Sequence, residues 1–480
     1  MRQIRDGEQN LFNLFGLFSI LFLTSTLFGG SFENFKRVQS ESFSHYIEQN
    51  DVAFAAYLQK EWSGYRAYVT PPLYQKPKPK DIPSLREKHA RAVGPLIQLK
   101  VPQNKPIKKP SLKAPSAEAN SIRVDFFGLK LSFKRDKTLS NIKYFPQNHR
   151  AIANAFKAFS ASSYTATLTT LKAYKEAYRL NDWALYLLVS KLAKQIYTQR
   201  DDANLYIWFL LNKLHYDVKI ASNEKNSLFV LLASKERLYQ KARYLIGANY
   251  YYLLENIHDT KSIENLYSYA NSYTSDAKAI EFSLQKLPLF AEATDSKELL
   301  FTEGAKKYTF HYRYNKNLID FMATYPQVDY AVYFKAPMQE QTYQDLAEQF
   351  KLYLDGKKMA QGLNFVLHFV QKAFIYKRDR EQFGAEKIMF AEETLVYDAS
   401  DCEDRAILFA YLVKHIFGVS VVGVKYSDHM STALFVPLKG ASVRVGKRAY
   451  LLADPTYINA NIGQEMPKYR DIEPEAFIYF

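Results

Sequence analysis

Three residues of this chain have the types and the order that nucleophilic catalysis needs. Cys402 is the only cysteine among 480 residues. It lies in Ser400-Asp401-Cys402-Glu403-Asp404-Arg405, at the head of the apolar-periodic run AILFAYLVKHIF. Ser400 and Glu403 have the S-x-x-E spacing of a helix-capping box, which would put Cys402 near the second helical position. There, unpaired backbone N–H groups and the helix dipole favour a thiolate. His429 follows in Tyr426-Ser427-Asp428-His429-Met430 at the start of an expected strand. Asp454 ends another, in Leu452-Ala453-Asp454-Pro455-Thr456. Such a set supplies nucleophile, base and orienter. The imidazole would take the thiol proton, and the carboxylate would hold the ring's tautomer. The backbone N–H of Cys402 is the one oxyanion donor the sequence names. His368 and His415 fall inside helical periods and read as structural.

The elements that must position these residues follow from local patterning. From residue 401 on, a helix precedes three strands: VSVVGVKY, MSTALFVPL and AYLLADP. Helix is expected at 147–215 and 342–376. A β-rich stretch is expected over 275–340, and a strand pair at 121–134 with Gly128 near its turn. The C-terminal pattern has an earlier echo. DWALYLLVSKLAKQIYTQRD (182–201) resembles GLNFVLHFVQKAFIYKRD, LYIWFLLNKL (205–214) resembles ILFAYLVKHI, LFVLL (228–232) resembles LFVPL, and YLLEN (252–256) resembles YLLAD. Read as a duplication, this sets Asp201 or Asp202 against Cys402 and Asn256 against Asp454. It leaves no histidine for the base, so the first copy would be inactive.

The order Cys, His, Asp on a helix followed by two strands resembles the transglutaminase-like superfamily. The resemblance covers about 360–465 and rests on D-C-E-D-R-A, H-M and D-P-T-Y. It implies an α+β fold with a papain-like core and acyl transfer through Cys402, His429 and Asp454. D-C-E-D also resembles bacterial transglutaminase-like cysteine peptidases, some of them periplasmic and calcium-dependent. That implies calcium at Asp401, Glu403 and Asp404, although capping and solvation account equally well for these carboxylates. No other cofactor is expected. Hydrolysis of peptide amides is the favoured reaction, with transamidation the variant. The alternative is a non-catalytic envelope scaffold or peptide-binding protein with a vestigial triad.

Composition bounds the rest. A single cysteine excludes intrachain disulfides and any zinc site built on two thiolates. The chain has 64 Lys+Arg against 49 Asp+Glu, a net charge of +15. Residues 71–120 hold 10 of the 18 prolines and a net charge of +8, so the excess is local. With its KPKPK motif, this stretch reads as a basic polyproline-like tether with little to stack on bases, so no specific nucleic-acid partner is expected. No charge occurs between Glu8 and Glu33, and residues 11–30 are apolar, which reads as either a signal peptide or a membrane anchor. The expected organisation is therefore 1–31 signal or anchor, 32–70 helical, 71–120 linker, 121–260 inactive copy, 261–340 β-rich and 341–480 catalytic. The expected location is exported, periplasmic or tethered to the inner membrane, with a peptide or protein substrate in the envelope. The oligomeric state is left open.

Overall fold

Two helical hairpins, each followed by an antiparallel sheet, organise the computed structural model. It describes residues 38, 47–60, 62–101, 120–257 and 259–480. Residues 57–480 form one compact unit; residues 1–56 form another, whose described residues are helical. The apolar segment 11–30 lies outside the described residues. Among those described, no helix is long and apolar enough to cross a membrane.

In the first half, helix α1 (Asp182–Ile196) packs on helix α2 (Arg200–Lys213). Asn181 caps α1 by accepting from the Ala184 N–H (3.1 Å), as a short polar side chain before an apolar run should. Strands β1 (Val218–Ser222), β2 (Leu228–Ala233), β3 (Ala242–Ile246), β4 (Asn249–Leu253) and β5 (Asn265–Ser268) follow. Their spatial order is β5-β1-β2-β4-β3, with Ser63–Arg66 and Tyr68–Val69 added at the two edges. α2 lies against β1 and β2. Both strands are buried along their whole length, so they read as continuous apolar runs rather than alternating ones.

The second half repeats the plan. Helix α3 (Met359–Lys372) packs on helix α4 (Cys402–Phe417), which lies on β6 (Val421–Lys425) and β7 (Met430–Leu434). Strands β8 (Ser442–Val445), β9 (Arg448–Ala453) and β10 (Ala476–Ile478) complete a sheet of order β10-β6-β7-β9-β8. Strand for strand, this is the order of the first sheet. α4 stops at Gly418, whose φ of 66° is the left-handed cap that a residue without Cβ adopts freely.

The expected helices at 147–215 and 342–376 and the hairpin at 121–134 stand close to their expected places. In that hairpin, Phe127 and Gly128 both have positive φ, the geometry of a two-residue turn matched to strand twist. The β-rich expectation for 275–340 is corrected. Thr294–Glu303 and Lys306–Asn315 do pair as a long hairpin. EFSLQKLPLF forms no strand, and YAVYFKAP is helical over Tyr330–Lys335. The helix expected within 32–70 ends at residue 58, and Ser63–Arg66 instead pairs with β5.

The tether expectation is also corrected for its described part, 71–101. This segment is a strap laid on the second half, with Tyr74, Lys78 and Ile97 buried. Its backbone is bonded along the way. The N–H groups of Gln75 and Lys76 donate to the Ser427 carbonyl (3.1 Å each). The Leu85 N–H donates to the Ile458 carbonyl (2.9 Å), and the Ile458 N–H to the Pro83 carbonyl (3.1 Å). The Tyr376 hydroxyl donates to the Pro79 carbonyl (2.7 Å). Proline suits such a path, since each one removes an N–H that a non-sheet segment would otherwise have to satisfy.

Candidate active site

Cys402 is the first residue of α4, and the helix start is built differently from the expected one. Asp401 is the N-cap, and Asp404, three residues on, accepts from the Asp401 N–H (3.2 Å). The other Asp404 oxygen accepts from the Met389 N–H (2.8 Å). Ser400 belongs to the two-residue strand Ala399–Ser400, and its hydroxyl accepts from the Arg405 guanidinium (3.1 Å). Glu403 faces away from the helix backbone. The same guanidinium donates to the carbonyls of Gln371 (3.2 Å) and Phe374 (2.7 Å), tying α4 to the end of α3. The capping register expected from Ser400 and Glu403 is thus shifted by one residue, and Cys402 takes the first helical position instead of the second.

His429 and Asp454 come together as expected. The His429 Nε2 lies 2.8 Å from Oδ2 of Asp454, and both residues are buried. Asp454 is held by the turn that follows it. Thr456 donates to its Oδ1 from both backbone N–H (2.9 Å) and hydroxyl (2.7 Å). Gln371 on α3 donates to the Asp454 carbonyl (2.9 Å). Burial opposes ionisation of Asp454, but the neighbouring His429 and the hydrogen bonds from His429 and Thr456 hold its carboxyl below the ordinary carboxylate range. The His429 ring stacks on Tyr469, with centroids 4.8 Å apart. Its Nδ1 is buried and has no hydrogen-bond partner among the described residues. The imidazole is therefore anchored through one nitrogen and open at the other.

The thiol's surroundings differ from the expectation of a stabilised thiolate. Cys402 is fully buried and donates to Oε2 of Glu403 (3.2 Å); the Tyr74 hydroxyl lies 3.6 Å from Sγ. Burial first, then the charges of Glu403 and Asp401, push the Cys402 thiol well above its ordinary pKa, with Lys78 acting the other way. Tyr469, which stacks on His429, is raised above its ordinary value by burial first and then by Asp428, with smaller contributions from Cys402 and Asp454.

Lys78 of the strap ends in a nest of carboxylates beside the thiol. Its ammonium lies 2.7 Å from Asp401, 2.8 Å from Asp379 and 2.9 Å from Glu386, and it also donates to Glu403. Burial alone would lower the Lys78 pKa, but Asp401, Glu403 and Asp379 hold it well above its ordinary value. Burial, more than neighbouring charge, raises Asp379 to about 7 and raises Glu403 from its ordinary value. The calcium implied for Asp401, Glu403 and Asp404 does not fit these residues as placed. Asp401 and Glu403 already hold an ammonium, and Asp404 is occupied by backbone N–H groups. The chain supplies its own cation there.

Tyr74, Lys78, Asp379, Glu386, Gln371, Thr456 and Tyr469 complete the site and were not named from the sequence. His368 pairs with Glu303 (2.7 Å), and His415 stacks on Tyr411, as structural histidines do. A cavity of about 1100 Å³ lies elsewhere, among residues such as Arg179, Phe290, Arg313 and Met338.

The matching strand orders also correct the residue correspondences between the two halves. Counted from the hairpin-closing pairs Ser222–Leu228 and Lys425–Met430, the residue opposite His429 is Ser227, and opposite Asp454 it is Glu255. The first residue of α2, opposite Cys402, is Arg200, not Asp201 or Asp202. Arg200 lies 3.8 Å from Glu255 and donates to the Leu228 carbonyl. In strand register, this ion pair stands opposite Cys402 and Asp454. Comparison of the chain with protein-family models, with curated proteins and with solved structures gave no match.

Proposed function

We propose that this chain is a thiol enzyme of the transglutaminase-like type that acts on peptide amides through an acyl-enzyme on Cys402. The observation that carries the reading is the buried His429–Asp454 pair, bonded through Nε2, with Nδ1 left without a hydrogen-bond partner among the described residues. In the working cycle Nδ1 takes the proton from Sγ, and the sulfur attacks the amide carbonyl carbon. The backbone N–H of Cys402, in the first turn of α4 and without an intrahelical partner, faces the developing oxyanion. The imidazolium returns the proton to the departing amine, leaving a thioester. Water then adds to the thioester and frees the acid, with His429 acting once more as base; an amine in place of water would give transamidation. Hydrolysis is favoured because water needs no second binding site.

The matching halves support a duplication, with the first copy disarmed by Arg200 and Glu255. The apolar N-terminal run supports an exported protein, periplasmic or membrane-tethered, with its substrate in the cell envelope. One observation favours a second reading, a peptide-binding scaffold with a vestigial triad: Cys402 is buried, and its surroundings keep it a thiol. Turnover separates the two. Hydrolysis of a peptide-amide library is expected from the wild-type chain and is expected to vanish in both Cys402→Ala and His429→Ala. Activity retained in either variant contradicts the enzyme reading.

A further inference from the structure

The strap crosses the candidate active site in the manner of a ligand. Tyr74 reaches the thiol through its side chain, so what meets Sγ is a phenol hydroxyl, with no carbonyl carbon to attack. Four residues on, Lys78 fills the carboxylate nest, and the chain then runs extended along Tyr376 and Ile458. Four carboxyl groups surround the one ammonium, and Glu386 at the rim also lies 3.8 Å from Arg380. A purely structural ion pair needs one carboxylate, and each further buried carboxylate adds a desolvation cost that a lone ammonium does not offset.

Resting on the enzyme reading above, we propose that residues 74–80 occupy the substrate groove as an internal ligand. The groove takes an extended peptide bearing a lysine, whose ammonium enters the nest of Asp379, Glu386, Asp401 and Glu403. The strap holds the enzyme closed, and a lysine peptide replaces it. Opening also exposes Cys402 to water, and burial is the chief cause of its raised pKa.

The test reads access to Cys402 and needs no turnover, so its failure is distinct from failure of the catalytic reading. In the full chain, Tyr376→Phe and Asn459→Ala together remove two side-chain anchors of the strap, at Pro79 and Leu85. Alkylation of Cys402 by iodoacetamide is expected to run about tenfold faster in this variant than in the wild type, as for a shifted closed–open equilibrium. A synthetic peptide of residues 71–90, added to the variant, is expected to restore protection; the same peptide with alanine at the position of Lys78 is not. An unchanged alkylation rate in the folded variant overturns the proposal. So does equal protection by the two peptides, or protection by neither.

Discussion

Replacing Lys78 by methionine is expected to lower the stability of the chain by about 3–5 kcal/mol at neutral pH, the usual cost of removing one partner from a buried charge cluster. Asp379, Asp401 and Glu403 are buried, and Lys78 is the cation that all three contact. Methionine keeps most of the side-chain volume, so the loss is electrostatic rather than a cavity. The sign of the pH dependence follows from the raised carboxyl groups. A carboxyl whose folded-state pKa lies above its unfolded value costs no stability while protonated. It takes stability away as pH rises through the folded value. For Asp379 that interval runs from the ordinary carboxylate range up to about 7. The ammonium of Lys78, held above its ordinary value, contributes throughout this interval and fails only in strong alkali. The variant's deficit is therefore expected to be small at pH 5 and full at pH 8, as read from urea unfolding midpoints at the two values. An equal deficit at both would show that the carboxylates are not the cause.

Asp454→Asn is expected to lower turnover by about 10³–10⁴-fold while leaving the fold and KM nearly unchanged, the scale seen when a triad orienter becomes an amide. The reason lies in what holds the carboxylate. Both Thr456 donors converge on Oδ1. An asparagine would keep its carbonyl oxygen there and turn its NH₂ toward Nε2 of His429. Nε2 would then have to accept, the ring proton would move to Nδ1, and the imidazole could no longer take the thiol proton. Steady-state kinetics on a cleaved peptide amide, with thermal unfolding as the control for folding, reads this directly. More than a tenth of wild-type turnover would remove Asp454 from the mechanism. The carboxylate's own contribution to stability has the opposite pH sign to that of the nest. Its pKa is depressed in the fold, so that contribution is present at neutral pH and is lost as pH falls below the ordinary carboxylate range.

What was legible in the sequence was local. Periodicity of 3.6 set α4 behind Cys402, and alternating apolar residues set the hairpin at 121–134 and the strands that carry His429 and Asp454. The helix start was ambiguous for a physical reason. Ser400…Glu403 and Asp401…Asp404 both satisfy the capping spacing, and the choice is made by Lys78, which draws Glu403 away from the backbone. β8 was missed because Ser442–Val445 is short, with only two valines to mark it. The strap was misread because its composition is that of a spacer. Its burial depends on partners some three hundred residues away, such as Glu403 for Tyr74, and no local pattern encodes those. The likeness between the two halves was visible as a faint echo, but matching short apolar strings aligned them one or two residues away from the strand register. Only strand register sets Arg200 and Glu255 opposite Cys402 and Asp454.

The central claim is that His429 arms Cys402 for attack, and active-site labelling tests it most directly. The wild-type chain and His429→Ala are incubated with a lysine-bearing peptidyl chloromethyl ketone and followed by intact mass, with peptide mapping of the adduct. The account predicts one adduct, on Cys402, in the wild type, and labelling at least about a hundredfold slower in His429→Ala, the usual scale of general-base assistance. Equal labelling rates in the two proteins would contradict it.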